Sequence, residues 1–105
     1  MGPPSSPLFA DIPNGAAEAR TVIANRLETQ FPIGSREDAL APWLRSQGLK
    51  PQRISNPDGS VTGDAEFRWV LIPLVCDAQV RVMWKGDAKG TLTERRVIYG
   101  DTGCL

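Results

Sequence analysis

The sequence predicts an α+β protein in which two N-terminal helices pack on one face of a three- to four-stranded antiparallel meander sheet. Apolar residues recur every three or four positions in the first half of the chain, as on amphipathic helices, and alternate with polar residues in the second half, as on strands. The chain has 105 residues, of which 41% are hydrophobic and 23% charged, enough for one compact core. We expect a flexible proline-rich leader over residues 1–14, of which only Leu8, Phe9 and Ile12 could dock, and a single domain over residues 15–105.

The first predicted helix follows Asn14-Gly15 and continues for about four turns. Ala16, Ala19, Ile23 and Leu27 are spaced so that they share one side of an α-helix. The segment from Phe31 to Gly34 contains a proline and a glycine, and it should end this helix.

A second helix is predicted over residues 36–47. Ser35 with Asp38 three positions later is a variant of the capping box, and Glu37 also suits the positive end of a helix dipole. Pro42 lies too deep for a first-turn proline in a helix of that length. We therefore expect a kink at Pro42 or a division of the helix in two.

The second half of the chain predicts strands joined by tight turns. Asn56-Pro57-Asp58-Gly59 is a strong turn signal, and the glycine-bearing segment 86–90 should close a hairpin. The alternating segments are residues 50–55, 65–72, 78–85 and 91–99.

One face of the predicted sheet mixes arginines with apolar side chains. If Trp69, Trp84 and Tyr99 face the helices, the pleat places a different set of residues on the opposite side. Arginine, methionine and aliphatic side chains are the mixture enriched at protein interfaces. The alternative is a solvated face whose arginines pair with Glu66 and Glu94. The candidate protein-binding residues are Arg68, Arg81, Met83, Arg96 and Ile98, with Val70 beside them.

The chain offers few groups for catalysis. It has no histidine, which excludes histidine-dependent triads and histidine-bearing zinc sites, and its carboxylates fall mostly in predicted turns. We therefore expect no enzyme activity, no metal and no cofactor, and rank a carboxylate-based enzyme last. Trp43, Trp69 and Trp84 are expected in the core, and the alternative is a small-ligand pocket that they line between helices and sheet.

The two cysteines indicate the cellular compartment of the protein, and its net charge indicates which kinds of partner it can bind. We expect Cys76 and Cys104 to form a disulfide, which would indicate an oxidising compartment; the alternative is two free thiols. Twelve basic and twelve acidic residues give no cationic field for nucleic acid. No apolar run is long enough for a membrane helix, and the first residues resemble a processed N-terminus rather than a signal peptide.

The run from Phe31 to Leu40, followed by Trp43-Leu44 and Gly48-Leu49, resembles the opening of small bacterial envelope proteins. With the meander that follows, residues 31–99 resemble the two-helix, three-strand unit of the SmpA/OmlA-type outer-membrane assembly lipoproteins and of the β-lactamase-inhibitor-protein repeat. The resemblance implies an exported, periplasmic or envelope-associated domain that binds another envelope protein and has no catalytic residues. The alternative is a cytoplasmic protein, and the oligomeric state stays open.

Overall fold

A computed structural model of the protein describes residues 3–72 and 76–104, with side chains described over residues 3–69 and 78–100. This part of the chain has an α+β architecture, with two α-helices followed by one four-stranded antiparallel sheet. The predicted α+β class is confirmed.

The first helix, α1, spans Ala16–Gln30, as its apolar spacing predicts. Ala19, Ile23 and Leu27 are fully buried, so the predicted side of the helix is the one that enters the core. The helix ends at Phe31, whose amide donates to the carbonyl of Leu27 over 2.7 Å.

The second helical element has two parts. A single 3₁₀ turn over Glu37–Ala39 continues directly into α2, Leu40–Ser46. Pro42 lies in the first turn of α2, where a missing N–H costs no intrahelical hydrogen bond. The division therefore falls before the proline, and no kink is needed. The predicted cap at Ser35 is wrong, because its hydroxyl donates to the carbonyl of Pro32 (2.6 Å) and accepts from no amide of the helix.

The four strands lie in chain order in the sheet, each antiparallel to the next. The meander is thus as predicted, but its long strands extend further than the alternation indicates. The added residues at the start of the second strand and the end of the fourth include glycines, which weaken a strand signal. The strands are β1, Lys50–Ser55; β2, Val61–Ile72; β3, Cys76–Gly86; and β4, Leu92–Cys104.

The two predicted turns connect these strands. Gly59 adopts φ +88° and its amide donates to the carbonyl of Asn56, which closes the β1–β2 turn. In the β3–β4 turn the side chain of Asp87 accepts from the amides of Lys89 and Thr91, both over 2.9 Å. Both turns use the aspartate, asparagine and glycine chemistry that the sequence indicates.

The core is built from both helices and from alternate strand positions. Strand residues such as Ala65, Val80 and Val82 are fully buried with Ile23 and Leu40 of the helical elements. The other strand positions form a second surface, which we call the outer face. Its described side chains are Lys50, Gln52, Ile54, Thr62, Asp64, Glu66, Arg68, Gln79, Arg81, Met83, Lys85, Glu94, Arg96 and Ile98.

The segment before α1 also joins the core. Leu8 and Phe9, within a 3₁₀ turn over Pro7–Phe9, are 1% and 4% exposed. The amide of Leu8 donates to the side-chain oxygen of Gln47 (3.0 Å), while Arg26 donates to the carbonyl of Leu8 (3.1 Å). Leu8 and Phe9 are therefore held by apolar burial, Leu8 also by hydrogen bonds, and the third leader residue that could dock, Ile12, is partly buried against the same core.

Candidate functional site

The five residues predicted to bind a partner all lie on the outer face. Strand register brings the central ones together, because Met83 is the cross-strand partner of Arg96 and Arg81 is that of Ile98. The tryptophans predicted to point the other way, Trp69 and Trp84, are buried. The strand phase inferred from the sequence is therefore observed at the described residues.

A groove of about 760 Å³ lies at the end of the sheet near the β3–β4 turn, where outer-face residues line it together with Gly63, Trp84 and Arg95. Met83 lies between the side chains of β2 and β4, opposite Asp64 on one side and Arg96 on the other. Lys85 also lines the groove, as does Ile33, a loop residue that is 56% exposed. The site thus combines an apolar centre with charged surroundings.

Ion pairs neutralise part of this face. Arg81 binds Asp64 through two guanidinium nitrogens, with Nε 2.9 Å from Oδ2. The hydrogen bonds and charge of Asp64 raise the pKa of Arg81 above its ordinary value. Lys85 approaches Glu94 at 3.6 Å. The solvated-face alternative gave Glu66 and Glu94 as partners of the arginines, whereas Arg81 binds Asp64 and Glu94 lies near Lys85.

Arg68 lies beyond the groove. Its Nε is 3.6 Å from Glu66, the partner that the sequence suggests, and its side chain is 61% exposed. Arg96, by contrast, lines the groove and is exposed. The two arginines share a face but differ in surroundings, which makes them a matched pair for experiments.

A second polar cluster lies inside the molecule and was missed from the sequence. Glu37 is only 2% exposed. Its Oε2 accepts from the indole N–H of Trp84 (2.7 Å) and from Nε of Arg53 (2.9 Å), and its Oε1 accepts from the same guanidinium. Every oxygen of this buried carboxylate therefore has a partner, as burial of a charge requires.

The environment of Glu37 acts on its pKa in two directions. Burial alone raises the pKa, but hydrogen bonds from Arg53 and Trp84, together with the charge of Arg53, outweigh it, so the pKa of Glu37 lies below its ordinary value. The carboxylate is therefore ionised at neutral pH. With its oxygens committed to Arg53 and Trp84, this cluster stabilises the fold and offers no free group for catalysis.

Two glycines make room for this cluster. A Cβ at Gly63 would lie 2.0 Å from the Trp84 ring, and a Cβ at Gly86 would lie 2.5 Å from Cγ of Glu37. The indole thus lies flat over backbone that carries no side chain. In the sequence, a glycine within an alternating strand indicates that a large side chain packs closely against the backbone there, but it does not identify that side chain.

The three tryptophans occupy separate places. Trp43 packs edge to face on Phe31, with ring centroids 5.4 Å apart. Trp69 packs on Tyr99 at 5.7 Å, and Trp84 meets Glu37. Trp43 also lines a pocket of about 350 Å³ with Leu8 and Arg26, away from the groove. The expected core role describes Trp69 and Trp84, while Trp43 is half-buried.

The side chains of Cys76 and Cys104, predicted to form a disulfide, and that of Val70 lie outside the described residues. The backbone register nevertheless pairs Cys76 directly with Cys104 across β3 and β4. Within the described residues no group of three or more carboxylate or thiol side chains is placed to hold a metal ion, and no helix is long and apolar enough to cross a membrane.

Comparison with known proteins found no matching family model, no matching curated protein and no matching solved structure.

Proposed function

We propose that this protein binds another protein through the outer face of its sheet. The observation that carries the proposal is the exposed groove around Met83, where an apolar side chain is surrounded by arginine and lysine on a surface of paired strands. Methionine and arginine are enriched at interfaces, and an apolar centre with a polar rim is the usual anatomy of a binding surface.

We infer that the helices leave the outer face accessible. Residues of α1 and α2 share the core cluster with the inward strand positions. We infer that both helices cover that one face, so that the rigid sheet presents the other face to a partner. The half-exposed Arg81 and exposed Ile54, at 40% and 65%, support this arrangement.

An exported, envelope-associated location belongs to the same proposal, on the resemblance of residues 31–99. What supports an oxidising compartment is the register of Cys76 and Cys104. Directly opposed residues of antiparallel strands have Cα atoms about 4.5 to 5.5 Å apart, within the range of a disulfide. Another envelope protein is the partner class that follows.

Site-specific photocrosslinking tests the binding face. A benzophenone amino acid replaces Met83 in one variant and Glu28, an exposed residue of α1, in the control. We expect a discrete protein adduct in cells from position 83 and none from position 28. A third variant carries the benzophenone at Ile98. The same adduct from positions 83 and 28, or no adduct from either position 83 or position 98, would overturn the proposal.

A further inference from the structure

We propose that the groove on the outer face recognises an extended acidic and apolar segment of a partner protein, with a carboxylate bound to Arg96 and an apolar side chain against Met83. This inference rests on the proposed function and names the chemistry of its partner. The inference follows from three features: the uncompensated positive charge of Arg96, the planar geometry of its guanidinium, and the spacing of Arg96 and Ile98 on β4.

On the outer face of the groove, Arg96 carries an uncompensated charge, whereas Arg95, which also lines the groove, donates to the carbonyl of Phe31. The cross-strand neighbour of Arg96 is Met83, and the next same-face residues along β3 are the cations Arg81 and Lys85. Arg81 is bound by Asp64 and Lys85 lies near Glu94. Over the side chains described at residues 3–69 and 78–100, no carboxylate pairs with Arg96. The groove therefore attracts an anion at this position.

The guanidinium favours a carboxylate in particular. Its planar fork of donors matches the two oxygens of a carboxylate, and such pairs are stronger than neutral hydrogen bonds. Met83 next to it provides an apolar contact rather than a further donor. A ligand that satisfies both must therefore join a single anionic group to apolar surface, as an acidic side chain and a leucine or valine two positions away do on one side of an extended segment.

The spacing along β4 selects an extended segment. Arg96 and Ile98 are alternate residues of one strand, so they project from the same face about 7 Å apart. Alternate side chains of an extended ligand have that same separation. A carboxylate on Arg96 thus places the ligand's next same-side residue near Ile98.

The overall charge pattern disfavours a polyanion. The described side chains of the outer face include five cations and three carboxylates, interleaved along the strands. Nucleic acid and anionic bilayers bind through broad positive fields, and most of these cations are already paired with carboxylates. One open guanidinium beside a methionine fits recognition of one acidic residue in a peptide.

Fluorescence polarisation with defined peptides tests the inference. The probe is a fluorescein-labelled peptide of about eight residues, about 26 Å long when extended, in which Glu and Leu alternate at every second position and serine fills the positions between them. A Lys and Leu peptide of equal length is the charge control. We expect the acidic peptide to bind saturably and at least about tenfold more tightly than the basic peptide. A ratio of this size is the difference expected from one complementary charge contact.

Two arginine variants locate the contact. Arg96→Glu should weaken binding of the acidic peptide at least about tenfold and strengthen binding of the basic peptide. Arg68→Glu, on the same face but beyond the groove, should change the affinity less than about twofold. Arg96→Gln provides a neutral second variant, and unchanged circular dichroism and melting temperature establish that each variant is folded.

The outcomes separate the inference from the proposed function. Equal binding of both peptides, equal losses for the two arginine variants, or Arg96-dependent binding to phosphatidylglycerol vesicles in place of the peptide would each overturn the acidic-segment inference. A crosslinked protein adduct at Met83 alongside any of these results would leave the protein-binding function standing. No adduct at the outer face would remove that function independently.

Discussion

Replacing Glu37 removes the carboxylate that Trp84 and Arg53 share. In Glu37→Ala the indole N–H stays buried with no acceptor, because Trp84 is 1% exposed. In Glu37→Gln a side-chain oxygen remains for the indole, and the charge on which the Arg53 contact depends is lost. The two substitutions therefore separate the hydrogen bond to the indole from the ion pair.

The expected cost follows from burial. An unpaired buried donor costs roughly 1 to 3 kcal/mol. The side chain of Arg53 is 40% exposed, so water replaces much of its lost partner and the ion pair adds about 1 kcal/mol at most. We expect Glu37→Ala to lower the free energy of unfolding by about 1 to 4 kcal/mol and Glu37→Gln by about 1 kcal/mol or less.

Urea unfolding followed by tryptophan fluorescence measures these losses, and calorimetry should show a fall of about 4 °C in melting temperature per kcal/mol. Asp38→Asn is the control, because Asp38 adjoins Glu37 in the chain but its side chain is 55% exposed. That substitution should leave the melting temperature unchanged.

The pH dependence provides a second measurement. The pKa of Glu37 is lower in the folded protein than its ordinary value, so its stabilisation is fully present above the unfolded pKa, about 4.3, and is lost as pH falls through the folded pKa. The stability difference between wild type and Glu37→Gln should therefore be constant above about pH 5 and shrink below about pH 4. A Glu37→Ala variant as stable as wild type, or a difference that persists unchanged at pH 3, refutes this reasoning.

Three further substitutions and one mass measurement test the fold. Gly63→Ala should destabilise by roughly 1 to 3 kcal/mol in urea unfolding, because its Cβ would overlap the Trp84 ring. Trp84→Ala should cost roughly 3 to 5 kcal/mol in the same assay, since it empties a core site. Leu8→Ala should cost roughly 2 to 5 kcal/mol, and a loss near zero would mean that the segment before α1 is not held in the core. Mass spectrometry without reductant should show the loss of two hydrogens if Cys76 and Cys104 are bridged, whereas alkylation of both thiols in the native protein would contradict the disulfide.

Local patterns in the sequence predict most of the elements. The spacing of Ala19, Ile23 and Leu27 identifies α1, and the strict alternation around Val82 identifies β3 and its two faces. Both signals depend only on the period of burial along one element. The position of Arg81 on the outer face follows directly from that alternation.

The sequence does not show which residues that are far apart in the chain contact each other. Glu37 looks like a helix-start residue because acidic residues favour that position, but its actual partners lie on β1 and β3. Likewise, the register places Glu66 directly opposite Arg81, yet the guanidinium binds Asp64, the diagonal neighbour. Such contacts depend on how strands align, and no local period encodes that alignment.

The Glu37–Trp84 contact also has a consequence for the order of folding. The two residues are 47 positions apart in the chain, while the β3–β4 turn closes over a few residues around Asp87. The longer closure costs about 2 kcal/mol more in chain entropy. The hairpins should therefore assemble first, and the segment around Glu37 should dock on the finished meander late. Substitutions of Glu37 should then accelerate unfolding much more than they slow refolding.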